Sequence, residues 1–224
     1  HMTFLGYEYL EVAHGATDEV IAHGESQLGL LRNHETVGAR DLCFDLANLS
    51  AEQQQQKQLS FSKSRRRSRV HRVAYPDYVC VRVFGEDGRV VGQHRFLGLY
   101  TSAVYTMDPR LIPVLRHKVD AILEMSDLDW SEHERRELVR VLQLFPRDEL
   151  FQSTLEELCA TVNAVNAIQE RRQTRLFVRP DIHGKFVNCI VYVPRDQYNT
   201  EQRRRIEHIL TTAFQAQELE FTAY

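Results

Sequence analysis

A repeated tripeptide, Pro-Arg-Asp, is the feature of this 224-residue chain whose residue types could do chemistry. The copies lie at Pro146–Asp148 and Pro194–Asp196, each after an apolar residue and before a stretch typical of a helix. Arginine can hold a carboxylate through two parallel hydrogen bonds. One hypothesis therefore places Arg147 and Arg195 in a small polar pocket at a domain junction, where they would hold a carboxylate ligand.

The competing interpretation is that both copies are turns that start helices. An aspartate shortly before a helix can cap it or face its positive N-terminal end. We favour this structural role over half of a catalytic pair, and we expect Asp148→Ala to cost about 1 kcal/mol through a lost cap. The candidates for binding an effector or forming an interface are Arg147, Asp148, Arg195 and Asp196.

Two hairpins are the clearest elements that could position these residues. Residues 78–101 alternate at strand spacing, and Asp87-Gly88 is a strong turn signal because both residues tolerate positive φ. Residues 174–194 are predicted to form a second, similar hairpin with a five-residue turn. Pro180 is expected to end its first strand, because proline cannot donate a hydrogen bond to a β-ladder. Further strands are predicted at 3–12 and 219–224, with a weaker candidate at 27–32.

Helices are predicted between the two hairpins and after the second one. Each stretch carries an apolar stripe at helical spacing. Their start signals are a proline, two Ser-x-x-Glu capping boxes and an Asn-Thr pair: Pro113, Ser131 with Glu134, Ser153 with Glu156, and Asn199 or Thr200. A Ser-x-x-Gln box at 50–53 indicates a further short helical turn. Hairpins followed by helices predict an α+β protein with two small sheet domains and a helical linker, and a single mixed domain is the alternative.

Composition is that of an ordinary globular protein, with 43% hydrophobic residues, 26% charged residues and a net charge of −3. So small a net charge gives no general attraction to nucleic acid or to an acidic membrane. No apolar run approaches the length of a membrane span, and the start lacks the pattern of a secretory signal. We therefore expect a cytoplasmic protein with no membrane partner.

No motif in the sequence supplies a catalytic group, a cofactor site or a metal centre. Gly-x-Gly-x-x-Gly, the P-loop and His-Glu-x-x-His are all absent from the sequence. The cysteines lack Cys-x-x-Cys spacing, so we expect four reduced, mostly buried thiols: Cys43, Cys80, Cys159 and Cys189. We therefore predict no catalytic, cofactor-binding or metal-binding residue.

A basic run, KSRRRSRVHR, occupies residues 63–72 and contains six lysines and arginines. It could contact the phosphates of a nucleic acid or bind another anion. It could equally be a solvated surface or pair with an acidic partner. The run has no interleaved aromatic residues and the whole chain is slightly acidic, so we consider nucleic acid an unlikely partner.

Several blocks of the sequence, taken together and in one order, are far more specific than any single motif: 63–72 with 75–84, then 94–105, 145–152, 169–181 and 189–210. Together these blocks resemble the large bacterial NAD-specific glutamate dehydrogenases. The similarity covers most of residues 60–215 and is weaker from 3 to 59.

The resemblance implies an N-terminal regulatory region upstream of a catalytic domain. Its fold would be α+β, with two small ferredoxin-like (ACT-like) sheet units joined by a helical linker: 3–107, 108–172 and 173–224. The last unit would be truncated shortly after Phe221. The chain itself would hold no catalytic residue and no NAD. The parent enzyme would convert L-glutamate, NAD and water to 2-oxoglutarate, ammonium and NADH.

Three functions compete. The first is a regulatory module that binds an amino-acid effector and acts on the rest of the parent enzyme. The second is a structural spacer that holds the subunits of an oligomer together, through exposed strand edges. The third is an anion- or nucleic-acid-binding domain that uses residues 63–72, which steep salt dependence would reveal.

Overall fold

The chain divides into two units in the computed structural model, which describes residues 1–13, 19–32, 58–126, 131–168, 173–181, 184 and 186–223. Unit 1 comprises His1–Ile112 with Pro180–Phe186, and unit 2 comprises Pro113–Arg179 with Val187–Tyr224. Helices and antiparallel sheets occur together, which confirms the predicted α+β class. The three-part division at 107 and 172 stays a prediction.

Unit 1 is built on an antiparallel sheet with the strand order β2-β1-β6-β5-β4, and β3 pairs with β1 outside this path. The strands are β1 (Met2–Ala13), β2 (Glu19–Ala22), β3 (Leu28–Gly29), β4 (Leu59–Lys63), β5 (Asp77–Phe84) and β6 (Val90–Tyr100). The predicted strand at 3–12 and the hairpin at 78–101 are both confirmed. The candidate at 27–32 shrinks to a two-residue strand, because Leu31 and Arg32 donate their amides within a turn.

The hairpin between β5 and β6 closes where the sequence predicted. Gly88 adopts φ 76°, a conformation that glycine reaches without a steric penalty. The amide of Gly85 donates to the carbonyl of Arg89 at 2.8 Å, and the amide of Arg89 donates to the Asp87 carboxylate at 3.0 Å. These local bonds fix the turn, and the turn fixes the strand register.

One face of the sheet of unit 1 buries apolar side chains around a charged pair. Glu8 lies directly opposite Arg95 in the ladder, and Nε of Arg95 donates to Oε1 of Glu8 at 2.7 Å. The two side chains are 0% and 2% exposed. The Arg95 guanidinium also lies 4.7 Å from the centre of the Tyr78 ring. A one-residue slip would move one of the two charges to the other face of the sheet and leave the other buried without its ion-pair partner, so the pair favours the observed β1–β6 register.

The prediction of four reduced thiols is wrong at Cys80, and Cys43 lies outside the described residues. Cys80 is fully buried and disulfide-bonded. Cys159 and Cys189 have free thiols, as expected. A disulfide need not leave a spacing signal in the sequence, and the pattern around Cys80 therefore favours a reduced thiol.

The helices are α1 (Ser102–Thr106), α2 (Pro113–Ser126), α3 (Glu132–Leu144), α4 (Arg147–Gln152), α5 (Leu155–Ile168) and α6 (Thr200–Phe214), with 3₁₀ turns at Gly24–Ser26 and Pro109–Leu111. Helix α2 begins at Pro113, as predicted. The capping box of Ser131 and Glu134 and the cap by Asn199 are also confirmed.

The capping box predicted at Ser153 and Glu156 lies one residue further along. The Thr154 amide donates to Glu157 at 2.9 Å, and the Glu157 amide donates to the Thr154 hydroxyl at 3.2 Å. Ser153 is 5% exposed and its hydroxyl donates to Glu149 instead. Burial therefore decided between two overlapping Ser/Thr-x-x-Glu patterns. The box predicted at 50–53 lies outside the described residues.

Helices α2, α3 and α5 pack on one another in unit 2 through their predicted apolar stripes. Burying one such Leu, Ile or Val side chain contributes about 1.5–3 kcal/mol. The buried members are Leu115, Val119 and Ile122 of α2, Leu138, Val141 and Leu142 of α3 with Phe145 after it, and Leu158, Val162 and Val165 of α5.

The C-terminal part of unit 2 is a two-stranded sheet of β7 (Arg175–Pro180) and β8 (Val187–Tyr192), followed by α6. Strand β7 ends at Pro180, as predicted. Helix α6 has no buried residue, and Ile209 on its apolar stripe is 53% exposed. The strand predicted at 219–224 is wrong for 219–223, which are exposed and form no ladder with any described residue. Within the described ranges, no helix is long and apolar enough to cross a membrane.

Candidate functional site

The first Pro-Arg-Asp copy lies at the junction of α3 and α4, and its arginine is structural. Arg147 is 4% exposed. Its guanidinium donates to the carbonyls of Phe145 and Gln143, each at 2.9 Å. These carbonyls belong to the C-terminal end of α3, where intrahelical donors run out and a cation is favoured. Arg147 therefore ties α4 to the end of α3, and its donors do not face an open pocket.

Asp148 does not cap the helix that follows it. Helix α4 begins at Arg147, its N-cap residue is Pro146, and no side chain caps it there. The predicted lost cap of Asp148→Ala is therefore wrong in mechanism. Asp148 lies inside the first turn, where a carboxylate faces the positive end of the helix. The helix starts two residues earlier than a cap at Asp148 would require.

The residue next to Asp148 forms a buried polar cluster that the sequence did not reveal. The Glu149 carboxylate accepts from Arg179 Nε at 2.8 Å and from Arg179 Nη2 at 2.7 Å, a two-pronged pairing. The Asn188 amide also donates to Glu149. We call Glu149, Arg179 and Asn188 the junction cluster. It ties α4 to both strands of the β7–β8 hairpin.

A lysine from α2 completes the support of α4. Nζ of Lys118 donates at 2.8 Å to three carbonyls at the end of α4, those of Leu150, Phe151 and Ser153. The ammonium thereby satisfies acceptors that the end of a helix leaves free. Both ends of this short helix are fixed by cations from the chain, by Arg147 at its start and by Lys118 at its end.

The second Pro-Arg-Asp copy lies in an exposed turn after β8. The Pro194 carbonyl accepts from the amides of Gln197 at 2.9 Å and of Tyr198 at 3.1 Å. Asn199 then starts α6, and its side chain accepts from the Gln202 amide at 2.9 Å. Asp196 therefore does not cap this helix. Arg195 and Asp196 are exposed and follow one another on the turn.

These two residues border a groove, which we call the α5 groove. It has a volume of about 620 Å³ and is lined by Val165, Ile168, Gln173, Tyr192, Val193, Pro194, Arg195 and Asp196. The lining joins the end of α5 to the end of β8. A cation, a carboxylate and an amide thus meet a mostly apolar floor, the usual composition of a small-molecule site.

Two pKa shifts describe the chemistry near the groove. Burial raises the pKa of the Tyr192 phenol, which is protonated at neutral pH even without this shift, and its hydroxyl can donate a hydrogen bond. Burial, with a smaller contribution from the Glu149 carboxylate, raises the pKa of the Cys189 thiol. A thiol so protonated is a poor nucleophile.

The structure brings Arg195 and Asp196 together at the α5 groove, and it holds Arg147 by backbone carbonyls at the α3–α4 junction. Sequence reasoning missed Glu149 and Arg179. One signal was present: Arg179 falls on the same face of its strand as Phe177, where a charge needs a partner. Its partner is 30 residues away, beyond any local pattern. The described part of the chain contains no group of three or more His, Cys, Asp or Glu side chains arranged for a metal.

Family models match the second half of the chain. A model of helical motif 1 of glutamate dehydrogenase matches residues 112–171. A model of the glutamate dehydrogenase ACT2 domain matches residues 175–224. The first match covers α2 to α5, and the second covers the β7–β8 hairpin and α6.

Curated relatives match the whole chain. The NAD-specific glutamate dehydrogenase of Pseudomonas aeruginosa is 41% identical over 225 residues, which are 100% of this chain and 14% of the relative. The enzyme of the same name from Halomonas elongata is 37% identical over 100% of the chain and 14% of the relative. That of Mycobacterium tuberculosis is 36% identical over 98% of the chain and 12% of the relative. The resemblance found in the sequence is therefore confirmed: the chain is homologous over its full length to a region of the NAD-specific glutamate dehydrogenases, and spans about one seventh of the length of these relatives.

Proposed function

We propose that this chain is a non-catalytic regulatory and assembly segment of an NAD-dependent glutamate dehydrogenase. One observation carries the proposal: the whole chain matches a small share of much longer enzymes, and the matching family models are those of a helical motif and an ACT domain. The parent enzyme converts L-glutamate, NAD and water to 2-oxoglutarate, ammonium and NADH. The partners of the segment are then the rest of that enzyme and its other subunits.

The effector site of this proposal is the α5 groove. Arg195 can pair with the carboxylate of a free amino acid, and Asp196 can pair with its ammonium group. Val165 and Ile168 offer apolar contact to a side chain. A zwitterion with an apolar side chain fits this combination better than a sugar or a nucleotide does. Tyr192 also lines the groove, and its hydroxyl can donate a hydrogen bond.

NAD does not fit the same groove. A pyrophosphate requires a cradle of backbone amides, usually from a glycine-rich loop at a helix start. The lining residues of the α5 groove include no glycine and offer Arg195 as their cation. The proposal therefore assigns NAD to parts of the parent enzyme outside this chain.

A purely structural role in assembly is the second candidate, and one observation favours it. The hairpin and α6 leave several apolar side chains in contact with solvent, among them Leu176 at 46%, Val178 at 45% and Ile209 at 53% exposed. Exposed apolar surface of this kind is typical of a face that another protein surface covers. A spacer would self-associate or bind parent subunits without any small ligand.

Thermal unfolding of the chain with each of the twenty amino acids at millimolar concentration separates these candidates. A ligand that binds only the folded state raises the midpoint by mass action, with about 2.7 kcal/mol of stabilisation at 100 times Kd. We expect a rise of several degrees with one or two apolar amino acids. Arg195→Ala should abolish that rise.

Arg204→Ala is the matched control, because Arg204 is exposed on α6 and does not line the groove. It should leave the ligand-induced rise intact. A panel with no shift for any amino acid would reject an effector site in this chain and leave assembly as the function. A ligand-induced rise of the unfolding midpoint that persists in Arg195→Ala would place the effector site outside the α5 groove.

A further inference from the structure

The basic run forms a braced loop in unit 1, Ser64–Ala74, which we call the arginine loop. Ser68 and Ala74 form an antiparallel bridge, with the Ser68 amide donating to the Ala74 carbonyl at 2.9 Å. At the base of the loop, the Ser64 amide donates to the Pro76 carbonyl at 2.8 Å. His71 holds a left-handed conformation with φ 65°. These contacts hold the loop in one shape before any partner arrives.

Some of its cations already have structural tasks. Lys63, just before the loop, pairs with the nearly buried Asp77 at 2.9 Å. Arg72 donates to the Tyr100 carbonyl at 3.1 Å, and this bond ties the loop to the end of β6. The Arg67 guanidinium lies 4.9 Å from the centre of the Tyr75 ring. These side chains anchor the loop to the sheet.

The other cations point to solvent. Arg65, Arg66 and Arg69 are exposed, and no carboxylate among the described residues lies within ion-pair distance of them. Val70 and Val73 beside them are 43% and 70% exposed. The loop therefore presents three uncommitted guanidinium groups and two apolar side chains on a fixed backbone.

The composition of this surface favours a protein partner over a nucleic acid. Arginine and exposed apolar side chains occur together at protein interfaces, which are depleted in lysine. Single-stranded nucleic acid needs aromatic platforms for its bases, and the aromatic ring beside the loop, Tyr75, is covered by Arg67. A guanidinium matches a carboxylate through two parallel hydrogen bonds, which an ammonium cannot form.

The charge balance restricts where an anionic partner can bind. Residues 63–72 hold six of the 28 lysines and arginines and none of the 31 acidic residues, which leaves 22 basic and 31 acidic residues in the rest of the chain. The net negative charge of the remainder repels any anion, so the arginine loop is the part of the sequence with a strong positive charge for an anionic partner. We propose that the arginine loop is a docking site for a carboxylate-rich segment of another protein chain, held by Arg65, Arg66 and Arg69.

Fluorescence anisotropy with the full chain tests the proposal. The probe is a fluorescein-labelled peptide that alternates glutamate and alanine, at about 0.15 M NaCl, where long-range attraction is largely screened. The competing probe is a labelled oligothymidine of matched net charge. We expect saturable binding of the peptide and at least tenfold weaker binding of the oligothymidine.

The diagnostic variant replaces Arg65, Arg66 and Arg69 by glutamate. Its matched control replaces Arg116, Arg140 and Arg204 by glutamate; these are exposed, lie in unit 2 and give the same change in net charge. The loop variant should bind the peptide about tenfold more weakly or worse, since three charged pairs are lost. The control should bind within about twofold of wild type, because it keeps the site. A triple glutamine variant repeats the test if the glutamate variant unfolds.

A triple lysine variant separates the guanidinium fork from charge alone, and it should weaken peptide binding while keeping the net charge. Absence of peptide binding by the wild-type chain overturns the proposal. Equal losses in the loop variant and the control also overturn it, because net charge alone would then explain the binding. Tighter binding of the oligothymidine than of the peptide would show that the arginine loop is a nucleic-acid-binding site instead.

Discussion

The two Pro-Arg-Asp copies share a sequence and differ in almost everything that the fold does with them. Arg147 is 4% exposed and holds two carbonyls at the end of α3, whereas Arg195 is exposed at the rim of the α5 groove. Asp148 lies inside the first turn of α4, whereas Asp196 lies in a turn that ends before the cap of α6.

The difference comes from the neighbouring elements. The first copy lies in the very short connection between α3 and α4. Its arginine therefore enters the junction and donates hydrogen bonds to carbonyls at the end of α3. The second copy follows the end of a two-stranded hairpin, and a longer turn separates it from α6. Its arginine donates to no helix-end carbonyl among the described residues. A short motif therefore acquires its role from what packs around it.

The largest effect is expected from Glu149→Ala at the first junction. Removing the carboxylate leaves the guanidinium of Arg179, which is 9% exposed, without its anionic partner, and breaking such a pair costs about 3–5 kcal/mol. Urea unfolding followed by far-ultraviolet circular dichroism measures the loss. The double variant Glu149→Leu with Arg179→Leu should recover part of it. A loss below about 1 kcal/mol for the single variant would show that the cluster is not tightly held.

Arg147→Ala comes next, with an expected loss of about 2–3 kcal/mol. One buried and one partly buried carbonyl lose a donor, and the aliphatic stem of the arginine loses its packing. The same urea titration measures this loss. Arg195→Ala is the control at the matching position of the second copy. Similar losses in the two variants would erase the distinction between the copies.

Ser131→Ala shows what a true cap contributes, and we expect a loss of about 1 kcal/mol. Hydrogen bonds from Ser131 lower the pKa of the Glu134 carboxyl. A lowered pKa gives stability that is present above the ordinary pKa of a glutamate and is lost as the pH falls through the lowered one. The deficit of the variant should therefore shrink in acid, and unfolding midpoints from pH 7 down to about pH 3 measure it. A deficit that stays constant with pH would contradict the role of Glu134.

Asp196→Ala should change stability least, by less than about 0.5 kcal/mol, because the residue is exposed and does not cap α6. Asn199→Ala is its comparison, since Asn199 is the cap, and it should cost about 1 kcal/mol. Thermal unfolding of both variants side by side decides the assignment. A larger loss for Asp196→Ala would restore the cap interpretation of the second copy.

Local signals in the sequence placed most of the elements. Asp87-Gly88, Pro113, Ser131 and Asn199 each act within a few residues of themselves, and each lies where the sequence predicted a turn or a helix start. The error at Ser153 arose because two overlapping cap patterns differ only in burial, which the sequence does not state.

Features that depend on distant partners were not predictable in the same way. The pairing of Glu149 with Arg179 spans 30 residues, and the disulfide at Cys80 leaves no spacing signal. Apolar and polar residues alternate at 219–224 as they do in a strand, but residues 219–223 have no strand to pair with in the described structure. The α5 groove requires the end of a helix and the end of a strand to meet, so only its rim residues, Arg195 and Asp196, were candidates beforehand.

Urea unfolding of Arg147→Lys beside Arg195→Lys tests the central distinction most directly. Lysine keeps the charge, but its single nitrogen cannot occupy the positions of both Nη1 and Nη2, from which Arg147 donates to the carbonyls of Phe145 and Gln143. We expect Arg147→Lys to lower the free energy of unfolding by about 1–2 kcal/mol and Arg195→Lys to leave it unchanged within about 0.5 kcal/mol. Equal losses at the two positions would contradict the assignment of a structural role to one arginine and a ligand-facing role to the other.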